Sequence, residues 1–189
     1  MTRQPPPEPF VVAAVAEWRA WLDQNEDRSD GVWLVLAKKG VVGPTSLVYQ
    51  DALTEALCSG WIDGQRRGLD DQTFLQRFTP RRRASVWSRR NVETVERLVA
   101  EGRLRPRGLV EVELARADGR WERAYHGQAS AEVPEELVAA LHDQPAVRAA
   151  FDALSKAERY SVIHPILVAP SEATRLRRVA RAIERLGGE

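Results

Sequence analysis

The chain has 189 residues, of which 43% are hydrophobic and 29% are charged, and its formal net charge is +1. These proportions are typical of a soluble globular protein and exclude a polycation, and a single cysteine excludes an internal disulfide and any cysteine-based zinc or iron–sulfur site. No apolar run approaches the roughly 20 residues that cross a bilayer, and the first residues lack the apolar core of a signal peptide. We therefore expect a cytoplasmic protein that does not insert into membranes.

The first part of the chain predicts both helices and strands. Residues 1–9 are polar and rich in proline, and we expect them to form a disordered tail. The apolar spacing of residues 11–24 indicates an amphipathic helix. The short apolar run at residues 32–37 indicates a buried strand, and residues 49–59 indicate a second helix that ends near Gly60.

Two further strands are predicted after Gly60. They comprise residues 61–69 and 73–79, and Asp70 and Asp71 lie between them. Short strands joined by such a turn favour an antiparallel hairpin. Residues 80–84 are predicted to be a loop.

The rest of the chain has only helical patterns. The first four predicted helices comprise residues 88–102, 107–117, 134–141 and 145–154. Ser155 and Glu158 form a capping box, in which each side chain satisfies a free backbone N–H of the other, so another helix begins there. We expect Pro165 to interrupt that helix and Ser171 to cap the last one.

These elements predict an α+β fold. Its N-terminal α/β domain, over residues 10–128, packs helices on a small antiparallel sheet. An all-helical C-terminal region follows over residues 129–189.

Residues 77–90 contain six arginines and no acid, with Phe78 and Trp87 among them. Arginines interleaved with aromatic residues bind single-stranded nucleic acid through phosphate contacts and stacking. Guanidinium groups also match the carboxylate or phosphate of a small ligand, and helix N-terminal amides near Ser88 would add to such an anion site. A third interpretation is a solvated basic loop that leaves Trp87 in the core.

Trp61 and Asp63 lie two residues apart on a predicted strand and therefore face the same way. Arg66 and Arg67 follow them directly. An acid beside an indole and two arginines is suited to binding a ligand. The same residues also suit a buried carboxylate–arginine pair that packs against Trp61, and both interpretations stay open.

Cys58 and Lys38 are weaker candidates. A nucleophilic Cys58 would need a nearby base, whereas the three histidines lie far away in sequence, and a helix C-terminus does not stabilise a thiolate. We therefore expect Cys58 to pack as a small buried residue. Lys38 follows the strand at residues 32–37 and is either a charge anchor facing a pocket or a side chain that extends into water.

Sequence motifs for metal or nucleotide binding are missing. There is no glycine-rich phosphate loop, no paired histidine and glutamate pattern and no Gly-x-Ser-x-Gly elbow. We expect no metal and no cofactor, and nothing in the sequence indicates an oligomeric state.

Several short motifs are similar to those of one bacterial family. They include Gly31-Val32-Trp33, Lys38-Lys39, Ala56-Leu57-Cys58, Gly60-Trp61-Ile62-Asp63-Gly64, Arg77-Phe78-Thr79-Pro80-Arg81 and Phe151-Asp152-Ala153-Leu154-Ser155. Through them the chain resembles the YdeI/OmpD-associated family of bacteriocin-protection proteins, from about residue 10 onward. Two positions depart from the family pattern, since Ser59 replaces an aromatic residue and Ala169-Pro170 replaces an Ala-Lys pair.

The resemblance implies an α+β domain followed by a helical region, and tolerance of antimicrobial or envelope stress. It implies no established reaction. Our leading hypothesis is a protection protein that binds a small anionic or aromatic ligand without a cofactor. The predicted ligand-binding residues are Lys38, Trp61, Asp63, Arg66, Arg77, Arg81, Trp87, Ser88 and Asn91.

In this hypothesis the tryptophans form apolar walls, while Lys38, Arg77 and Arg81 neutralise charge. The first alternative is a cofactor-free enzyme for hydrolysis, isomerisation or cyclisation that uses Asp63 as its acid or base. The second is an interaction module that binds nucleic acid or a protein through the basic segment at residues 77–90.

Overall fold

The computed structural model describes residues 8–188, with strands confined to the first half of the chain. The elements in chain order are β1 (Pro9–Phe10), α1 (Val15–Asn25), β2 (Val32–Ala37), α2 (Tyr49–Cys58), β3 (Trp61–Gly68), β4 (Thr73–Pro80), α3 (Arg89–Ala100), α4 (Pro106–Ala117), α5 (Glu135–His142), α6 (Pro145–Asp152), α7 (Lys156–Leu167) and α8 (Glu172–Gly187). This arrangement confirms the predicted α+β fold. Residues 1–7 of the predicted tail lie outside the described residues.

The described residues divide into two compact units. Unit 1 contains those of Met1–Ser85 together with Glu93–Gly119, and unit 2 contains those of Val86–Val92 together with Arg120–Glu189. Unit 1 holds the sheet with helices α1, α2 and α4. Unit 2 holds helices α5 to α8 and the start of α3.

The sheet of unit 1 has the strand order β1-β2-β4-β3. Strand β4 is antiparallel to both neighbours, with Leu75 opposite Val35 of β2 and Phe78 opposite Asp63 of β3. The predicted antiparallel hairpin is therefore confirmed. Strand β1 adds a short parallel pairing to β2, which the sequence did not reveal because two residues carry no periodic signal.

An aromatic cluster forms the centre of unit 1. Trp18 of α1 and Trp61 of β3 are completely buried, and Trp21 contacts both rings, stacked on the first and edge-on to the second. The two buried indole N–H groups donate to backbone carbonyl oxygens, from Trp18 to Ala52 at 3.0 Å and from Trp61 to Glu26 at 3.2 Å. The cluster thus buries large apolar rings without leaving their polar atoms unpaired.

Helices α2 and α4 meet through two glycines. Gly60 ends α2 with a φ of +69°, and a Cβ at Gly108 of α4 would lie 2.3 Å from the carbonyl oxygen of Cys58. The Arg105 N–H, just before α4, donates to that same oxygen at 2.9 Å. Only glycine permits so close an approach, and the contact brings the arginines before α4 to the end of α2.

The core of unit 2 consists of apolar side chains from α5 to α8, namely Leu137, Leu141, Phe151, Val162, Ile163, Ile166, Val179 and Ala182. The predicted capping box is confirmed, since Ser155 and Glu158 bond each other's backbone N–H at the start of α7. Ser171 likewise caps α8 by accepting from the Thr174 N–H.

The predicted interruption at Pro165 is wrong, because α7 continues through it to Leu167. Pro165 lies in the last turn of the helix, where its missing N–H removes a single helical hydrogen bond. The Arg178 guanidinium donates to the Pro165 carbonyl oxygen. Within the described part of the chain, none of the helices combines the length and apolar composition needed to span a membrane.

Candidate functional site

The half-buried side chain of Asp63 lies beside a β-bulge and accepts a hydrogen bond from α2. Its Oδ2 accepts a hydrogen bond of 2.8 Å from the hydroxyl of Tyr49, which begins α2. A register shift between Asp63 and Arg66 creates a β-bulge in β3, and the buried amide of Gln76 donates to the Gly64 carbonyl oxygen within it at 3.0 Å. Because a bulge redirects the side chains around it, the fold sets where Asp63 points.

The hairpin arginines lie on both faces of the sheet. Asp63 is opposite Phe78, so these two side chains share a face, and Arg77 lies on the other face because side chains alternate along a strand. Arg66 lies with its guanidinium carbon 3.7 Å from the ring centroid of Phe74, which is on the Phe78 face. Arg66 therefore shares a face with Asp63, and Arg77 does not.

Trp61 and Arg81 lie at the same end of the hairpin as Asp63. The Arg81 N–H donates to the Gly60 carbonyl oxygen at 3.1 Å, which holds Arg81 next to the start of β3. Both side chains are buried, with exposures of 0% for Trp61 and 5% for Arg81. Trp61 thus has a packing role in the aromatic cluster.

Lys38 lies at the opposite end of the sheet. Its backbone N–H donates to the Gln72 carbonyl oxygen. Lys38 lies five residues after Trp33 of β2, which is opposite Arg77, and this spacing corresponds to about 17 Å along the strands. Its Nζ donates to the Asp70 carbonyl oxygen at 2.8 Å. The structure therefore separates Lys38 from Asp63 and uses it to close the hairpin turn.

The last three predicted residues lie in unit 2, where α3 begins. Trp87 is 2% exposed, and its ring packs edge-on against Trp121 with a centroid distance of 4.8 Å. The Ser88 hydroxyl accepts from the backbone N–H of Asn91 at 3.2 Å. Ser88 therefore stabilises the first turn of α3, and Trp87 packs in the interior.

A buried glutamate on α2 is the strongest charged site that the sequence analysis missed. The Glu55 side chain is 3% exposed, and Arg19 donates to it bidentately at 2.6 and 2.9 Å. Arg103 lies 2.7 Å from its Oε1 and Arg105 lies 3.5 Å from its Oε2. One carboxylate thus joins α1 and the connection between α3 and α4 through three guanidinium groups.

Electrostatics around Glu55 favour its charged form. Burial raises the pKa of Glu55. This effect is outweighed by the hydrogen bonds and charge of Arg19 and by the charges of Arg103 and Arg105, which keep the pKa below its ordinary value. Burial, followed by the nearby charge of Glu55, raises the pKa of the Cys58 thiol. Because Cys58 is buried, the prediction that it packs in the interior is confirmed.

The sequence carried one signal for this site. Glu55 lies within the run Ala52-Leu53-Thr54-Glu55-Ala56-Leu57, on the apolar side of a predicted helix, and a buried acid needs a partner. The partners lie 36, 48 and 50 residues away, too far for a local pattern to identify. Among residues 8–188, no group of three or more histidine, cysteine, aspartate or glutamate side chains could hold a metal ion.

Two family models match different parts of the chain. Residues 130–188 match the model described as Bacteriocin-protection, YdeI or OmpD-Associated, which confirms the family resemblance for the C-terminal part. Residues 10–111 match the model described as Domain of unknown function (DUF8412). Comparisons with curated proteins and with solved structures found no match. Because the match over residues 10–111 spans more than half of the chain, the protein belongs to the family described as Domain of unknown function (DUF8412).

Proposed function

We propose that this protein protects its host from antimicrobial or envelope stress by binding a small anionic or aromatic compound in the cytoplasm. The match of residues 130–188 to a bacteriocin-protection family supports the protective role. The binding site that we favour lies in unit 1, on the sheet face shared by Asp63 and Arg66.

The hydrogen bond between Tyr49 and Asp63 is the observation that carries this proposal. Asp63 is half-buried beside the bulge, and the Tyr49 hydroxyl donates to its carboxylate. A carboxylate that is oriented but not enclosed keeps acceptor capacity for a donor on a ligand. Such an arrangement suits recognition better than packing alone.

Arg66 supplies the complementary charge. It is exposed, and its guanidinium carbon lies over the Phe74 ring, 3.7 Å from the centroid, so the aromatic ring positions the guanidinium group. A carboxylate or phosphate can be bound bidentately by a guanidinium group. A ligand with an anionic group and a hydrogen-bond donor would therefore use both Arg66 and Asp63.

Native mass spectrometry of the protein isolated directly from its host cells tests the proposal. The variants Asp63→Asn and Arg66→Gln would be compared with Asp71→Asn and Arg82→Gln, which change exposed residues of the same charge outside the site. We expect a co-purifying small molecule that is retained in both controls. Its bound fraction should fall about tenfold or more in the two site variants, because each loses a hydrogen bond to a charged group.

An adduct that is equally abundant in all five proteins would contradict the site, and the absence of any adduct from the wild-type protein would contradict ligand binding. Conversion of the bound compound by the wild type but not by Asp63→Asn would favour the enzyme alternative. A nucleic-acid contaminant that salt removes would favour the interaction module instead.

A further inference from the structure

Unit 2 contains a cavity of about 430 Å³ near the start of α7. One side of it is apolar, with Val133, Leu154 and Ile163, and the other side carries Lys156, Arg159 and Tyr160. Among residues 8–188, no acidic side chain lines it. Cavities of this size that combine apolar walls with a few polar groups are typical sites for small molecules.

The first two turns of α7 build the polar side of the cavity. Lys156, Arg159, Tyr160 and Ile163 follow the spacing that places side chains on one face of a helix. The capping box of Ser155 fixes where the helix begins and therefore where this face is presented. The local sequence sets the position of both cations.

The two cations have no acidic partner within the part of the chain that the structure describes. Lys156 Nζ donates to the Ala129 carbonyl oxygen at 3.4 Å, and Arg159 Nη2 donates to the Asp152 carbonyl oxygen at 2.9 Å. Neither side chain has a carboxylate oxygen within salt-bridge distance among residues 8–188.

The Nε atom of Arg159 is buried without a hydrogen-bond partner among the described residues. A buried donor without an acceptor is costly. The guanidinium plane is oriented by Phe151, whose ring centroid is 5.2 Å from its central carbon. Two cationic side chains thus line a cavity that has no acidic side chain among residues 8–188.

We propose that this cavity binds an amphiphilic monoanion. Its carboxylate or phosphate group is held by Lys156 and Arg159, and its aliphatic or aromatic body packs against Val133, Leu154 and Ile163. Tyr160 closes the polar side, where its hydroxyl donates to the His126 carbonyl oxygen at 3.3 Å. This site is independent of the one around Asp63, and neither proposal depends on the other.

Isothermal titration calorimetry of the full chain with decanoate tests the proposal. Decan-1-ol and decylammonium serve as probes of the same length but different charge. We expect decanoate to bind at least about tenfold more tightly than either, because only it forms charge-assisted hydrogen bonds with the cavity. Lys156→Glu should weaken decanoate binding by about tenfold or more. Arg177→Gln, which removes a charge from the exposed face of α8, should leave it unchanged.

A second variant separates the cavity from a general charge effect. Ala131→Phe places a ring in the cavity and leaves both cations intact, so it should block decanoate binding while the circular dichroism spectrum stays that of the wild type. Equal binding of decanoate and decan-1-ol, unchanged binding by Lys156→Glu or Ala131→Phe, or no binding to the wild type at millimolar concentration would each overturn the proposal. Asp63→Asn should bind decanoate as the wild type does, which distinguishes this site from the proposed function.

Discussion

One cluster of positive side chains in each unit is used in the opposite way to the other. In unit 1, Arg19, Arg103 and Arg105 all form ion pairs with the buried carboxylate of Glu55. In unit 2, Lys156 and Arg159 donate only to backbone carbonyl oxygens among the described residues and face a cavity. Cations that are paired inside the fold stabilise it, whereas cations without acidic partners are available to a ligand.

The largest expected effect comes from Glu55→Gln, which leaves three guanidinium groups without their carboxylate. Removing one member of a buried ion pair typically costs 3–5 kcal/mol. That range applies where the charge left behind is buried, whereas Arg19 and Arg103 are 51% and 36% exposed, so we expect a smaller loss of about 2 kcal/mol in the free energy of unfolding. Urea unfolding measures this change. Glu113→Gln, at an exposed position of α4 in the same unit, is the control, and an equally small change in both variants would contradict the stabilising role of Glu55.

Acid should weaken unit 1 through the same residue. The pKa of Glu55 is lowered in the folded state, so its contribution is complete above the unfolded-state value of about 4.3 and is lost as the pH falls through the folded-state value. Stability measured from pH 6 to pH 2 should therefore fall less steeply for Glu55→Gln than for the wild type. Parallel curves would show that another carboxylate controls the acid response.

Ser59→Ala should change stability by less and in the opposite direction. Ser59 is completely buried, and its hydroxyl has no hydrogen-bond partner among the described residues. Removing this unpaired group should raise the free energy of unfolding by about 1 kcal/mol.

Ser155→Ala removes the helix cap in unit 2 and should lower the free energy of unfolding by about 1 kcal/mol. Urea denaturation measures both variants, and changes of the same sign in Ser59→Ala and Ser155→Ala would contradict these two predictions.

The smallest expected effect is that of Lys156→Gln. The side chain has no carboxylate partner within the described range, so we expect its charge to contribute little to the stability of the fold. Urea unfolding curves of this variant and the wild type should coincide within error. A loss comparable to that of Glu55→Gln would remove the distinction between the units.

Local patterns predicted most of the fold. The apolar run of β2, the hairpin of β3 and β4, and the caps at Ser155 and Ser171 are all signals within a few residues of the element they define. The effect of Pro165 could not be predicted from its presence alone, because a proline in the last turn of a helix does not interrupt it.

The candidate site was less predictable, because it depends on contacts between distant residues. Asp63 and Arg66 share a face only because of the bulge, and the pairing of Glu55 with arginines 36 to 50 residues away has no local signature. The sequence alone gives Trp61 two possible roles, in the wall of a ligand site or in the hydrophobic core. The tertiary structure places it in the core, where it is completely buried.

The bulge in β3 has a consequence for solubility as well. Strand β3 forms an edge of the sheet, and an exposed edge invites pairing with another polypeptide. The irregular register between Asp63 and Arg66, and the charges of Arg66 and Arg67, make this edge a poor template for an incoming strand. The bulge that sets the direction of Asp63 therefore also disfavours aggregation through pairing at this edge of the sheet.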